Sequence, residues 1–224
     1  MQYDFKDEKQ AQEYLKTLDI EYRFQCYKEK KPEGCQRLAD FLDSIRKDFK
    51  QAAAVYKTNC EESNYGVSCY KYANYNIMGR GMEKNEKEAL KYYSKACALD
   101  HMPACHSVGL IHGSKKVCPP DDMGAALKMF TKACDKDFLP SCYYISGMYI
   151  RGSDQVPRDM KKASEFSKKA CEMGHLYACS NLSQMYRRGE GVEKSTSLAD
   201  KFEKKAQEIR DGRTRKERTI KFGE

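Results

Sequence analysis

Residues 161–192 read KKASEFSKKACEMGHLYACSNLSQMYRRGEGV, and this stretch decides the fold. Its cysteines, Cys171 and Cys179, have seven residues between them. Ala163 and Ser167 stand eight and four residues before the first, a spacing that keeps one face of a helix. Leu182 and Met185–Tyr186 follow the second at helical spacing until Gly189 and Gly191 end the pattern. The stretch predicts a helix, a tight turn, a second helix and a glycine loop. One cysteine falls near the end of the first helix and the other near the start of the second.

The arrangement recurs along the chain. Cys60, Cys97, Cys134 and Cys171 follow one another every 37 residues. Ala52, Ala89, Ala126 and Ala163 precede them by eight residues, and Tyr56, Tyr93, Phe130 and Ser167 by four. Tyr72, Val108, Ile145 and Leu182 follow the partner cysteines by three. A period of this size marks a solenoid of helix pairs, in which each pair buries its apolar face on the next. The expected class is all-α: a right-handed α/α solenoid of five disulfide-linked helical hairpins plus a C-terminal capping helix. Expected repeats span about 5–46, 48–82, 86–118, 122–154 and 159–192, with a cap at 197–209, all in one array over 1–209. The first repeat diverges, with a polar helix near Asp7–Leu18 leading toward Cys26 and a second helix over Glu33–Ile45.

Ten of the eleven cysteines are expected to pair with their neighbours along the chain, as Cys26 with Cys35, Cys60 with Cys69, Cys97 with Cys105, Cys134 with Cys142 and Cys171 with Cys179. Antiparallel helices joined by a short turn bring such positions to bonding distance. Structural zinc prefers cysteines two to four residues apart, and redox catalysis prefers Cys-x-x-Cys; neither pattern is present. Reduced thiols packed as small core residues are the rival reading. Closing each short loop contributes roughly 2.5 kcal/mol in the chain-entropy model. Cys118 is left over, ahead of Pro119-Pro120. It reads as a free or partner-linked thiol, with a Cys-Pro thiolate ligand to haem as the alternative.

Hydrophobic residues make up 40% of the 224, charged residues 33%, and the formal net charge is +8. Mean hydropathy is −0.84. That is lean for one globular core and suits units that each bury a thin face and need cross-links. Excess positive charge gathers at Arg210, Arg213, Arg215, Lys216, Arg218 and Lys221, so 210–224 is expected to be a flexible basic tail, with contact to anionic lipid or an acidic partner as its functional reading. With no second basic stripe, nucleic acid is not expected as a partner. No apolar run reaches the length of a membrane span. Met1–Lys16 mixes acids and bases without an apolar core, so it reads as neither a secretory signal nor a mitochondrial transit peptide.

Lys169-Ala170-Cys171, Gly174-His175, Ala178-Cys179 and Met185–Val192 together resemble the Sel1-like repeat family, relatives of the tetratricopeptide repeat. Cys26-Tyr27, Gly34-Cys35, Ala104–His106, Val108–Leu110 and Phe222-Gly223 extend the resemblance to its cysteine-rich mitochondrial members. The resemblance implies a monomeric helical protein of the mitochondrial intermembrane space that helps to assemble cytochrome c oxidase. Implied partners are subunits or assembly factors of that enzyme, and copper chaperones. Five disulfides need an oxidising compartment, which the oxidative import relay of that space supplies. The relay's usual twin motif has nine residues between cysteines, where this chain has seven or eight.

The resemblance also implies haem held by a histidine pair in the third repeat. Carried over, the pair is His106 and His112, and no other metal site is expected. Their spacing of six turns them about 120° apart on a regular helix, where the family's seven keeps one face. His112 also fills the slot of Tyr149 and Tyr186, so a packed core histidine is the rival reading. His101 and His175 are expected to be solvated or capping. Tyr70, Tyr72, Tyr143 and Tyr144 are candidates for a concave binding face, with Tyr72 favoured as core. No catalytic set, P-loop or HExxH motif is present. The enzymatic alternative is a thiol-disulfide oxidoreductase acting on copper-chaperone cysteines through Cys118 or one of the bridges.

Overall fold

The computed structural model describes residues 6–114 and 122–221, with side chains to residue 212. Every regular element among the described residues is helical: eleven α-helices and two π-helical turns. The chain divides into two compact units, Met1–Ala104 and Cys105–Glu224.

The first unit holds α1 (Glu8–Arg23), α2 (Pro32–Phe41), α3 (Phe49–Ser63), α4 (Gly66–Met78), α5 (Glu86–Ala98) and the first turn of α6 (Met102–His112). Within it, α1 to α5 pack in order. The first repeat departs from expectation, since α1 runs past Leu18 and continues as a π turn over Phe24–Lys28 that carries Cys26. No Gly or Pro lies between Leu18 and Pro32, so nothing stops the helix there. A second π turn, Leu42–Arg46, prolongs α2.

The second unit holds the rest of α6, then α7 (Met123–Asp135), α8 (Leu139–Arg151), α9 (Met160–Glu172), α10 (Leu176–Arg188) and α11 (Thr196–Lys221). Here too α7 to α11 pack in order. The cap is longer than expected: α11 does not end at Ile209, and the expected flexible tail is helical as far as Lys221. Residues 210–221 hold six Arg and Lys, which are good helix formers, and no Pro, so the helix continues through Gly212. No described helix is long and apolar enough to cross a membrane.

The periodic residues form the core. Ala52, Ala89, Ala126, Ala163 and Ala199 are fully buried, and Tyr56, Tyr93, Phe130 and Ser167 are buried one turn further on. Small Ala lets neighbouring helices approach, and the larger residue fills the gap. A second period fixes where the first helix of each hairpin starts. Asp48, Asn85, Asp122 and Asp159 stand 37 residues apart, and each side chain accepts a hydrogen bond from a backbone N–H three residues on. These are N-caps that satisfy otherwise orphaned donors. The glycine loops matter for close approach as well as for turning. Gly191 has φ +74°, and a Cβ there would lie 2.0 Å from the Met160 carbonyl oxygen at the start of α9.

Candidate functional site

Four disulfides lie within hairpins. Cys26–Cys35, Cys60–Cys69, Cys134–Cys142 and Cys171–Cys179 join Cα atoms 4.3, 4.7, 4.9 and 4.7 Å apart. Cys97 and Cys105 are disulfide-bonded as well. Cys118 lies outside the described residues. Most of these cysteines are sealed in the core. The first bridge differs: Cys35 is half-buried, and both its cysteines line a cavity of about 530 Å³ beside Tyr27, Lys30 and Glu62. A thiol must reach a sulfur to exchange with it, so accessibility singles this bridge out.

His106 follows Cys105 directly, in the slot that Tyr70 holds after Cys69 and Tyr143 after Cys142. In all three cases the ring packs against the turn residue of the next hairpin. Tyr70 meets His101 at 4.8 Å, His106 meets Phe138 at 5.6 Å, and Tyr143 stacks on His175 at 4.0 Å. The His106 ring also lies 5.1 Å from Phe130 and 5.0 Å from Tyr144, and its Nδ1 shares a 2.9 Å hydrogen bond with Ser141 Oγ. Burial holds its pKa below the ordinary histidine value.

His112 ends the same helix, and its buried Nδ1 has no hydrogen-bond partner among the described residues. Because α6 is one continuous helix, the two imidazoles project about 120° apart. The cavity beside α6, about 100 Å³ between Gly109, Met123 and Tyr144, is lined by neither histidine. Sites for drug-sized ligands begin at roughly 300 Å³. Among the described residues His106 and His112 do not converge on one point, and no haem chemistry is assigned to the pair.

His175 caps α10, its Nδ1 accepting from the Ala178 N–H at 3.2 Å. His101 is not solvated: it is half-buried against Tyr70, and its buried Nε2 has no partner among the described residues. The tyrosines proposed for a binding face are mostly spent in packing. Tyr72 is buried edge-on to Tyr92 at 4.6 Å, and Tyr70 and Tyr143 are held by the ring contacts above, which leaves Tyr144 exposed. Open grooves are lined instead by first helices of hairpins, α3 in the first unit and α9 with α11 in the second.

Polar bonds between hairpins in the first unit were not foreseen from sequence. Tyr56 donates to Asp40 at 2.6 Å, Tyr75 to Asp43, and Tyr92 to Glu61. Burial first, and the neighbouring carboxylate second, push all three phenols above their ordinary range. Asn59 donates to Ser68 Oγ at 2.7 Å, and Ser68 donates to Gln36 Oε1 at 2.7 Å. Among the described residues, no group of three or more His, Cys, Asp or Glu forms a metal site.

A chain of cysteine-stapled α-hairpins, each seated on the next by a repeating core, is a helical-repeat protein. The Sel1 repeat model matches residues 66–101, 103–138, 139–175 and 176–199, and the chain belongs to that family. A relative from Drosophila melanogaster, cytochrome c oxidase assembly factor 7 homolog, is 46% identical over 120 residues, covering 52% of this chain and 45% of that protein. The human cytochrome c oxidase assembly factor 7 is 42% identical over 112 residues, covering 48% of each chain. The match thus spans about half the length of these curated relatives. Among solved structures, a Sel1 repeat protein from Oxalobacter formigenes superposes with a TM-score of 0.69 at 22% identity, over 79% of this chain and 72% of that one. That likeness establishes the fold.

Proposed function

We propose that the chain is an assembly factor for cytochrome c oxidase. It acts in the mitochondrial intermembrane space as a helical scaffold for a subunit or another assembly factor of that enzyme. The observation that carries this reading is the oxidised cysteine pair placed in hairpin after hairpin of a chain whose relatives are oxidase assembly factors. Such a framework matures only where thiols oxidise, and the intermembrane space is the mitochondrial compartment where they do. The grooves along the first helices of the hairpins give the scaffold room for a partner. The test is complementation of cells lacking the protein, with assembled oxidase read on native gels and location read by protease protection in isolated mitochondria. Restoration by a chain protected until the outer membrane is opened supports the reading. Restoration by a chain held in the cytosol with reduced thiols contradicts it.

One observation favours a second reading, thiol-disulfide exchange on partner cysteines such as those of copper chaperones. The Cys26–Cys35 bridge opens onto a cavity, where the other bridges are sealed. Turnover of a disulfide substrate by the native chain, lost in a Cys26→Ser, Cys35→Ser variant, separates this reading from the scaffold alone.

A further inference from the structure

We propose that the groove between α9 and α11 binds an acidic, apolar-anchored segment of a partner protein. This rests on the reading as a scaffold and names the chemistry of what is held. A cavity of about 640 Å³ lies between Lys168 on α9 and Lys201, Lys204 and Lys205 on α11. A second hollow of about 560 Å³ shares Tyr186 and Leu198 with it and adds Lys194. The floor is apolar: the Tyr186 and Phe202 rings stack at 5.6 Å with 9° between their planes. Leu198 stands 37% exposed where the two hollows meet.

The groove carries more positive than negative charge. Lys84, Lys91, Lys162 and Lys169 each reach a carboxylate. Lys168, Lys201, Lys204 and Lys205 have no such partner among the described residues. Five lysines line the two hollows against Glu172, Glu193 and Glu208. Lys201 and Lys205 lie one turn apart on α11, and Leu198 is one turn before Lys201, so one helix face offers an apolar contact and then a row of ammonium groups. A set of like charges around an apolar floor raises the local positive potential and attracts carboxylates.

The same lining disfavours other polyanions. It contains no arginine, so a phosphate finds no bidentate fork. Phe202 is buried against Tyr186, so it offers no open platform on which a base could stack. Asp and Glu side chains flanking a Phe or Leu satisfy both parts of the groove: carboxylates on the lysine row, the apolar side chain on Leu198 and Tyr186.

The test is fluorescence anisotropy with the full chain, oxidised, and a labelled synthetic peptide carrying Phe and Leu among Asp and Glu. Expected is salt-sensitive binding that weakens at least about tenfold in Lys201→Glu, Lys204→Glu and at least about threefold in Leu198→Ser, with no binding of the same peptide bearing Lys for its acids. The reversal Lys28→Glu, Lys87→Glu in the other unit leaves affinity unchanged. Circular dichroism and disulfide mapping check each variant. The neutral pair Lys201→Gln, Lys204→Gln takes the place of any reversal that fails to fold. No binding, or equal binding by all variants, overturns the proposal. So does binding of an RNA oligonucleotide or phosphatidylserine vesicles, in place of the peptide, that the α11 variants lose. If the peptide fails while the chain still restores the oxidase in deficient cells, the groove assignment falls and the scaffold stands. If the peptide binds as expected and the oxidase is not restored, the reverse holds.

Discussion

The Nδ1 of His106 and the buried Oγ of Ser141 lie 2.9 Å apart, joining the hairpin of α6 to that of α8. The pair occupies repeat positions: His106 follows one second cysteine, and Ser141 precedes the next. Gln36 and Ser68, which bond at 2.7 Å, stand in the same two positions. Where the preceding-cysteine position is Ala, as at Ala104 and Ala178, the other position is Tyr70 or Tyr143. A polar side chain accompanies Ser, and a ring accompanies Ala. This places His106 in the packing scheme of the array.

Ser141→Ala should therefore destabilise the chain by about 1 kcal/mol, the usual net worth of a hydrogen bond, by stranding the His106 nitrogen. Adding His106→Tyr should recover most of that loss, since the pair then matches Tyr143 with Ala178. Denaturant unfolding of the two variants measures both effects. A double variant less stable than the single one would contradict the slot scheme.

Stability of the first unit should fall at alkaline pH. Tyr56, Tyr75 and Tyr92 have pKa values raised by burial and by Asp40, Asp43 and Glu61. A raised folded-state value means that the fold keeps a proton the unfolded chain gives up above about pH 10. The stabilisation is complete below that pH and is lost as pH rises toward the folded-state values. Phenolate absorbance at high pH should show these tyrosines ionising only as the helices melt. Ionisation of all sixteen tyrosines together, ahead of unfolding, would contradict it.

Under native conditions, graded reduction followed by alkylation should open Cys26–Cys35 first, because Cys35 is half-buried at an open cavity while the later bridges are sealed. Peptide mapping of the alkylated sites reads the order. Simultaneous opening, or earlier opening of Cys134–Cys142 or Cys171–Cys179, would count against it.

Two glycines with positive φ should respond differently to Ala. Gly191→Ala forces a Cβ onto the Met160 carbonyl and should cost more than about 2 kcal/mol. At Gly174, with φ +90°, a Cβ meets nothing within 4 Å, so only the backbone preference is lost, about 1 kcal/mol. Thermal melts of the two variants make the comparison, and equal losses would contradict the contact at Met160.

Much of the fold was legible because it repeats. Cysteines, alanines and glycines at a fixed interval report helix ends, buried faces and turns, and the hairpins follow from them. The N-caps at Asp48, Asn85, Asp122 and Asp159 carried the same interval and were readable by the same means. α1 and α11 run longer than the repeat implies because, with no Pro in the way, a helix continues past the last periodic residue. Tyr56 with Asp40 and Tyr92 with Glu61 are not legible from spacing alone, because each phenol meets its carboxylate only after helices of different hairpins pack. His106 is a ligand candidate only through the family resemblance, which carries a histidine pair onto it. Its neighbours in the repeat, Tyr70 and Tyr143, show the slot it fills.

The most direct measurement is disulfide mapping of unreduced protein taken from mitochondria. Hairpins stapled within themselves give the linked peptides Cys26–Cys35, Cys60–Cys69, Cys134–Cys142 and Cys171–Cys179, and by the same spacing Cys97–Cys105. Bridges joining cysteines of different hairpins, or free thiols at these ten positions, would contradict both the fold's covalent framework and the oxidising compartment.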